Sequence, residues 1–116
     1  MVQNRNKLIE LFIGNLSNSI VHKILEIAID NIELSNKYEK ELTTSFEIAK
    51  RYREKINPIN LPFPDKDINY IKTKIKNKIR VELSIRISKG YKNINLELID
   101  EIIDKYLNDM NVIQKY

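Results

Sequence analysis

The chain has no cysteine and no tryptophan, only two glycines, three prolines and one histidine among 116 residues. Without cysteine there is no disulfide framework and no thiolate metal or redox centre, so the fold has to rest on an apolar core. No apolar run approaches the roughly 20 residues of a membrane span. Near the start, Leu8-Ile9 and Leu11-Phe12-Ile13 are divided by Glu10, too short and broken a pattern for a signal peptide. A cytoplasmic chain with no membrane contact is therefore expected. With so few glycines and prolines, turn signals are scarce, and the expected class is all-α.

Recognisable chemistry is scarce too. There is no Gly-rich phosphate loop and no nucleophile elbow. His22 has Glu26 one turn on, but no Glu-x-x-His pair accompanies the acidic residues of the C-terminal segment. One histidine without a convergent acid cluster makes a poor metal site, and reads as a surface or satisfied core residue. The expectation is no cofactor, no metal and no enzymatic activity.

Isoleucine (21), lysine (15) and asparagine (14) are what the chain does have in quantity. Codons for all three are rich in A and T, so base composition alone accounts for much of the lysine. The charge is nevertheless unevenly placed. Between Lys72 and Lys92 lie Lys72, Lys74, Lys76, Lys78, Arg80, Arg86, Lys89 and Lys92, against the single acid Glu82. That segment carries +7 while the whole chain carries +4.

The same segment supports two local readings. At helical spacing, Ile68, Ile71, Ile75, Ile79, Leu83 and Ile87 share one face. Asp65 could cap the first turn, and Gly90 suits the left-handed residue beyond the last. Alternatively, Ile79, Val81, Leu83, Ile85 and Ile87 alternate with polar residues, as in a strand. Nothing else in the chain alternates so cleanly, and a strand without a partner leaves its backbone groups unpaired, so the helix is preferred. In that helix Val81 and Ile85 point away from the main apolar face and need another element or a partner chain.

In order along the chain, the first helix is expected at 4–14, ended by Gly14-Asn15, with Ser17, Asn18 and Ser19 as caps for a second at 19–32. A third, 35–56, places Ser35, Tyr38, Leu42, Ser45, Ala49, Tyr52 and Ile56 at the three- and four-residue steps of a packing seam, with Ser45 and Ala49 small enough for close approach. Glu47, Arg51, Arg53 and Glu54 on it read as surface ion pairs. The prolines at 58, 62 and 64 exclude a helix over 57–64. There Ile59, Leu61 and Phe63 alternate, as in a connector packed across the end of a bundle. The last two helices are expected at 66–89 and 96–111, the latter capped by Asn93 or Asn95, with Leu96, Ile99, Ile102, Ile103, Tyr106, Leu107 and Met110 as its apolar face. Glu97, Asp100, Glu101 and Asp104 form an acidic stripe along it.

These observations give a single-domain, all-α, four- or five-helix bundle over 1–116: N-terminal helices at 1–56, a Pro-rich connector at 57–64, and a basic C-terminal helical hairpin at 65–116. The favoured function is an interaction module forming a homo-oligomer or binding another protein through Val81, Ile85, Glu97, Asp100, Glu101 and Asp104. The alternative is an RNA- or DNA-binding module using Lys72, Lys74, Lys76, Lys78, Arg80, Arg86 and Lys89 to track phosphates. Tyr70 and Tyr91 flank that stretch without interleaving, so no base-stacking platform is evident. The acidic stripe, set against the basic helix, would cancel part of its field.

Overall fold

The computed structural model describes residues 4–29, 31–57 and 61–113. It contains four helices, α1 (Arg5–Ala28), α2 (Ile32–Ile56), α3 (Asp65–Ser88) and α4 (Leu98–Asp109), and no strand among the described residues. The alternation over Ile79–Ile87 is therefore carried on a helix. Its every-fourth-residue line Ile71, Ile75, Ile79 and Leu83 is fully buried, which a strand without a partner could not have achieved.

The expected break at Gly14-Asn15 does not occur, and the first two expected helices are one. Phe12, Ile13, Leu16, Ile20 and Ile24 form an unbroken buried face across it, and together they outweigh the roughly 1 kcal/mol that a mid-helix glycine costs. Two of the three candidate caps are used differently, and the third, Ser17, makes no hydrogen bond through its hydroxyl among the described residues. Ser19 Oγ donates to the Leu42 carbonyl at 3.0 Å and Asn18 Nδ2 donates to Ser45 Oγ at 2.7 Å, both across to α2. Asn15 Nδ2 donates back to the Leu11 carbonyl at 2.8 Å. A β-carbon built on Gly14 meets nothing within 4 Å. Gly14→Ala is accordingly expected to stabilise the chain by about 0.5–1 kcal/mol, measured as a higher urea midpoint at unchanged slope.

The real break follows Ala28. Asn31 caps α2 by accepting from the Glu33 and Leu34 amides at 3.0 and 3.2 Å. The helix then runs back along α1, with the small seam residues Ser45 and Ala49 buried against it. At the start of α3 the expected Asp65 cap is not made: Pro64 occupies the cap position without a side-chain bond, and Asp65 and Asp67 sit in the first turn instead. There their charge still favours the positive end of the helix dipole. The α3 exit follows expectation. Gly90 has φ +98, and the Gly90 and Tyr91 amides return to the Ile87 and Arg86 carbonyls at 3.0 and 3.1 Å. Helix α4 is shorter than expected and leaves Leu96 outside it, 42% exposed. Asn95 Oδ1 holds the preceding turn by accepting from the Glu97 amide. At its far end Asn111 takes φ +58, and the Val112 amide bonds to the Leu107 carbonyl at 2.9 Å.

Contacts fix the directions. Asn18 with Ser45 and His22 with Glu41 make α1 and α2 antiparallel. Arg5 with Asp67 and Glu10 with Tyr70, 62 and 60 residues apart, make α1 and α3 parallel. Lys72 with Asp104 and Lys76 with Asp100 make α3 and α4 antiparallel. Helix α1 thus lies between α2 and α3, and α4 covers one side of that layer, its Tyr106 ring edge-on to Phe46 at 5.5 Å. Burial raises the Tyr106 phenol above its ordinary value, and the Glu26 and Asp109 carboxylates add to the rise. A phenol kept neutral in the fold contributes stability below the ordinary tyrosine pKa and loses it as pH climbs towards the raised folded value. Tyr106→Phe is expected to flatten the alkaline limb of stability against pH, followed by urea melts from about pH 8 to 11.

One residue departs from the surface role expected of it. Arg53 is 2% exposed. Its guanidinium donates to the carbonyls of Met110 (2.7 Å), Asn57 (2.9 Å), Leu61 (2.8 Å) and Asn111 (2.9 Å), and lies 4.8 Å over the Phe63 ring. Asn57 and Met110 close α2 and α4, so the cation sits at the negative ends of two helix dipoles. Burial lowers its pKa from the ordinary arginine value, with no carboxylate hydrogen-bonded to it among the described residues. Glu47, Arg51 and Glu54 stay exposed and form no ion pair among the described residues. In the connector, Pro58, Ile59 and Asn60 lie outside the described residues. Of the alternating apolar residues that remain, Phe63 is buried, its amide bonded to the Val112 carbonyl at 2.9 Å, while Leu61 is 55% exposed.

Candidate interaction surface

Helix α3 is covered along one line only. Taken four residues apart, it presents four strips: the buried Ile71/Ile75/Ile79/Leu83, the α4-facing Lys72/Lys76/Arg80, the outward Thr73/Asn77/Val81/Ile85, and the Tyr70/Lys74/Lys78/Glu82 edge beside α1. On the outward strip Val81 is 62% and Ile85 43% exposed, with Ile87 at 42% near the helix end. No described element covers Val81 and Ile85, as expected for the second apolar side of this helix, whereas Ile87, one turn beyond Leu83, departs from the expectation that it shares the main apolar face.

The basic residues divide into three kinds of environment. Lys72 pairs with Asp104 at 3.0 Å and Lys76 with Asp100 at 2.9 Å, so part of the positive strip is answered within the molecule. Lys74 lies over the Tyr70 ring at 5.7 Å and Arg86 over Tyr91 at 5.4 Å. Lys78, Arg80, Lys89 and Lys92 are exposed, with no carboxylate in contact among the described residues. The acidic stripe is likewise divided. Asp100 and Asp104 face α3, while Glu97 and Glu101 are exposed and form no ion pair among the described residues.

The flanking aromatics are engaged. The Tyr70 hydroxyl donates to the Glu10 carboxylate, which raises the phenol pKa. Tyr91 receives hydrogen bonds from Tyr38 (3.4 Å) and Arg86 (3.3 Å), which lower its own. Each of these rings thus has a cation over one face, Lys74 on Tyr70 and Arg86 on Tyr91. His22 is buried and satisfied on both nitrogens, by the Asn18 carbonyl at 2.8 Å and by Glu41, rather than Glu26, at 2.7 Å. Among the described residues no group of three or more His, Asp or Glu is placed to hold a metal ion, and no helix is long and apolar enough to cross a membrane.

The feature that sequence reasoning missed is a trough on the open side of the α1–α3 crease, opposite α4. About 480 Å³ in volume, it is lined by Gly14, Ser17 and Val21 of α1 and Lys74, Lys78 and Val81 of α3, among others. As a local stop signal, Gly14 points to a helix end. Following the apolar period through it, from Phe12-Ile13 to Leu16 and Ile20, would have placed it mid-helix, on the side away from that period. Comparison with protein-family models, with curated proteins and with solved structures finds no match to this chain.

Proposed function

We propose that this chain is a non-enzymatic, cytoplasmic helical interaction module that self-associates, its Pro-rich connector carrying a basic α3–α4 hairpin as the binding half. The observation that carries this reading is the incomplete cover of α3. A helix buried on one strip, with Val81 and Ile85 exposed on another and Ile87 exposed at the end of the buried one, holds apolar surface that only a partner would remove from water. Sedimentation equilibrium over a wide concentration range tests it. A concentration-dependent mass reaching twice that of the chain is expected, and a single monomeric mass throughout would refute it.

The second reading, nucleic-acid binding, draws on Lys78, Arg80, Lys89 and Lys92, which have no carboxylate partner. Its test is a titration of labelled RNA and duplex DNA at two salt concentrations. Wild type would be compared with Asp100→Asn/Asp104→Asn, which releases Lys72 and Lys76, and with Lys78→Glu/Arg80→Glu. Tight binding that weakens with salt, strengthens in the first variant and disappears in the second would favour this reading. Absence of binding at low salt would remove it.

A further inference from the structure

Resting on the self-association reading, we infer that the α1–α3 trough is the seat of a second copy of this chain, entered by the second copy's α3 in the antiparallel sense. Three observations converge there. The first is the floor. Gly14 offers no side chain, a β-carbon there would meet nothing within 4 Å, and no contact inside the chain uses the space. The second is Ser17, which lines the same trough, is 4% exposed, and has a hydroxyl with no hydrogen-bond partner. It is a buried polar group, at the wall of the trough, for which the described residues supply no hydrogen-bond partner.

The third observation identifies the occupant. Ridge and hollow lie on one surface: Val81 and Ile85 project beside the trough that Gly14 and Ser17 leave open. A two-fold interface needs such self-complementarity. The α3 edge bordering the trough also carries Lys78 and Glu82 one turn apart, and Glu82 is the one acid of the Lys72–Lys92 segment. Two antiparallel copies of α3 centred between these residues set Lys78 of each opposite Glu82 of the other. Helices α1 and α3 run parallel at an offset of 60 to 62 residues, which puts Gly14 level with about residue 75. The same register therefore brings Ile85 of the second copy to the level of Gly14, a large side chain over an empty position. Each α3 then lies in the crease of the other copy, and the outward strips of both leave water.

Three variants test this by sedimentation equilibrium, with thermal melts as the control for folding. Gly14→Leu fills the trough on a helix that tolerates the side chain. It is expected to weaken the dimer at least about tenfold, the scale of a lost interface anchor, while the melting temperature of the monomer is kept or raised. Lys78→Glu and Glu82→Lys place like charges opposite each other in their own dimers, and each alone is expected to be monomeric. Mixed together, they are expected to dimerise again, because in the mixed pair both contacts join opposite charges. Neighbouring charges within either variant chain remain alike, so an intramolecular effect would not produce that rescue. A wild-type dimer with a Gly14→Leu variant that still dimerises as tightly, or mixed chains that stay monomeric, overturns the trough as the seat and leaves self-association standing. A wild-type monomer overturns both.

Discussion

Arg53→Met is expected to destabilise the chain by about 3–5 kcal/mol, the scale of a broken buried hydrogen-bond network. The loss has two parts. Four carbonyls, of Asn57, Leu61, Met110 and Asn111, lose the guanidinium at a junction where it is almost wholly buried, and of these Leu61 keeps Asn57 Nδ2 as a donor at 2.9 Å. An unsatisfied buried acceptor costs about 1–3 kcal/mol, reduced where water can enter. In addition, the C-terminal ends of α2 and α4 lose the cation that both dipoles face. Arg53→Lys recovers the charge without the planar fork that serves four acceptors, and should keep less than half of the stability at stake. Arg51→Met is the control, two residues away and exposed, and should lie within about 0.5 kcal/mol of wild type. Urea denaturation of the three variants measures this. If Arg53→Met matches Arg51→Met, the junction is not what ties the connector to α4.

Arg53 also shows where sequence reasoning stopped. Its neighbours Glu47, Arg51 and Glu54 made a surface reading natural, since charged residues four apart on a helix usually face solvent. What buries it is the meeting of α2, the connector and the end of α4, residues 57, 61, 110 and 111, brought together only by the tertiary fold. Helix class and the α3 exit at Gly90 were legible because each depends on nearby residues: apolar spacing, and a left-handed position that glycine fills at little cost. The Gly14 break was misread for the same local reason, because a stop signal was weighed without the length of apolar face it would have interrupted. In the candidate surface, Val81 and Ile85 were legible from periodicity, and the opposition of basic and acidic strips from charge alone. The trough was not, because it belongs to the crease between two helices 60 residues apart in sequence.

The single line that holds α3 makes it the helix most exposed to a core lesion. Ile75→Ala, at the middle of Ile71, Ile75, Ile79 and Leu83, is expected to cost about 2–5 kcal/mol through lost burial and the cavity left behind. Its neighbours on α3 cannot compensate, since Lys74, Lys76 and Thr73 face solvent or α4. Nor can the two lysine–aspartate pairs hold the helix in place, because exposed pairs contribute about 0–1 kcal/mol each. The contrast is Val81→Ala, six residues on and 62% exposed, which in dilute solution should change stability by less than about 0.5 kcal/mol. Because α2 packs along the length of α1 and reaches α3 through the Tyr38, Tyr91 and Arg86 side chains at one end, the lesion should also be felt unevenly. Amide exchange in Ile75→Ala should accelerate first over α3 and α4, with the α1–α2 pair retaining more of its protection. Uniform acceleration over all four helices would mean that the bundle opens as one unit, and that α3 is bound to it by more than the strip of isoleucines.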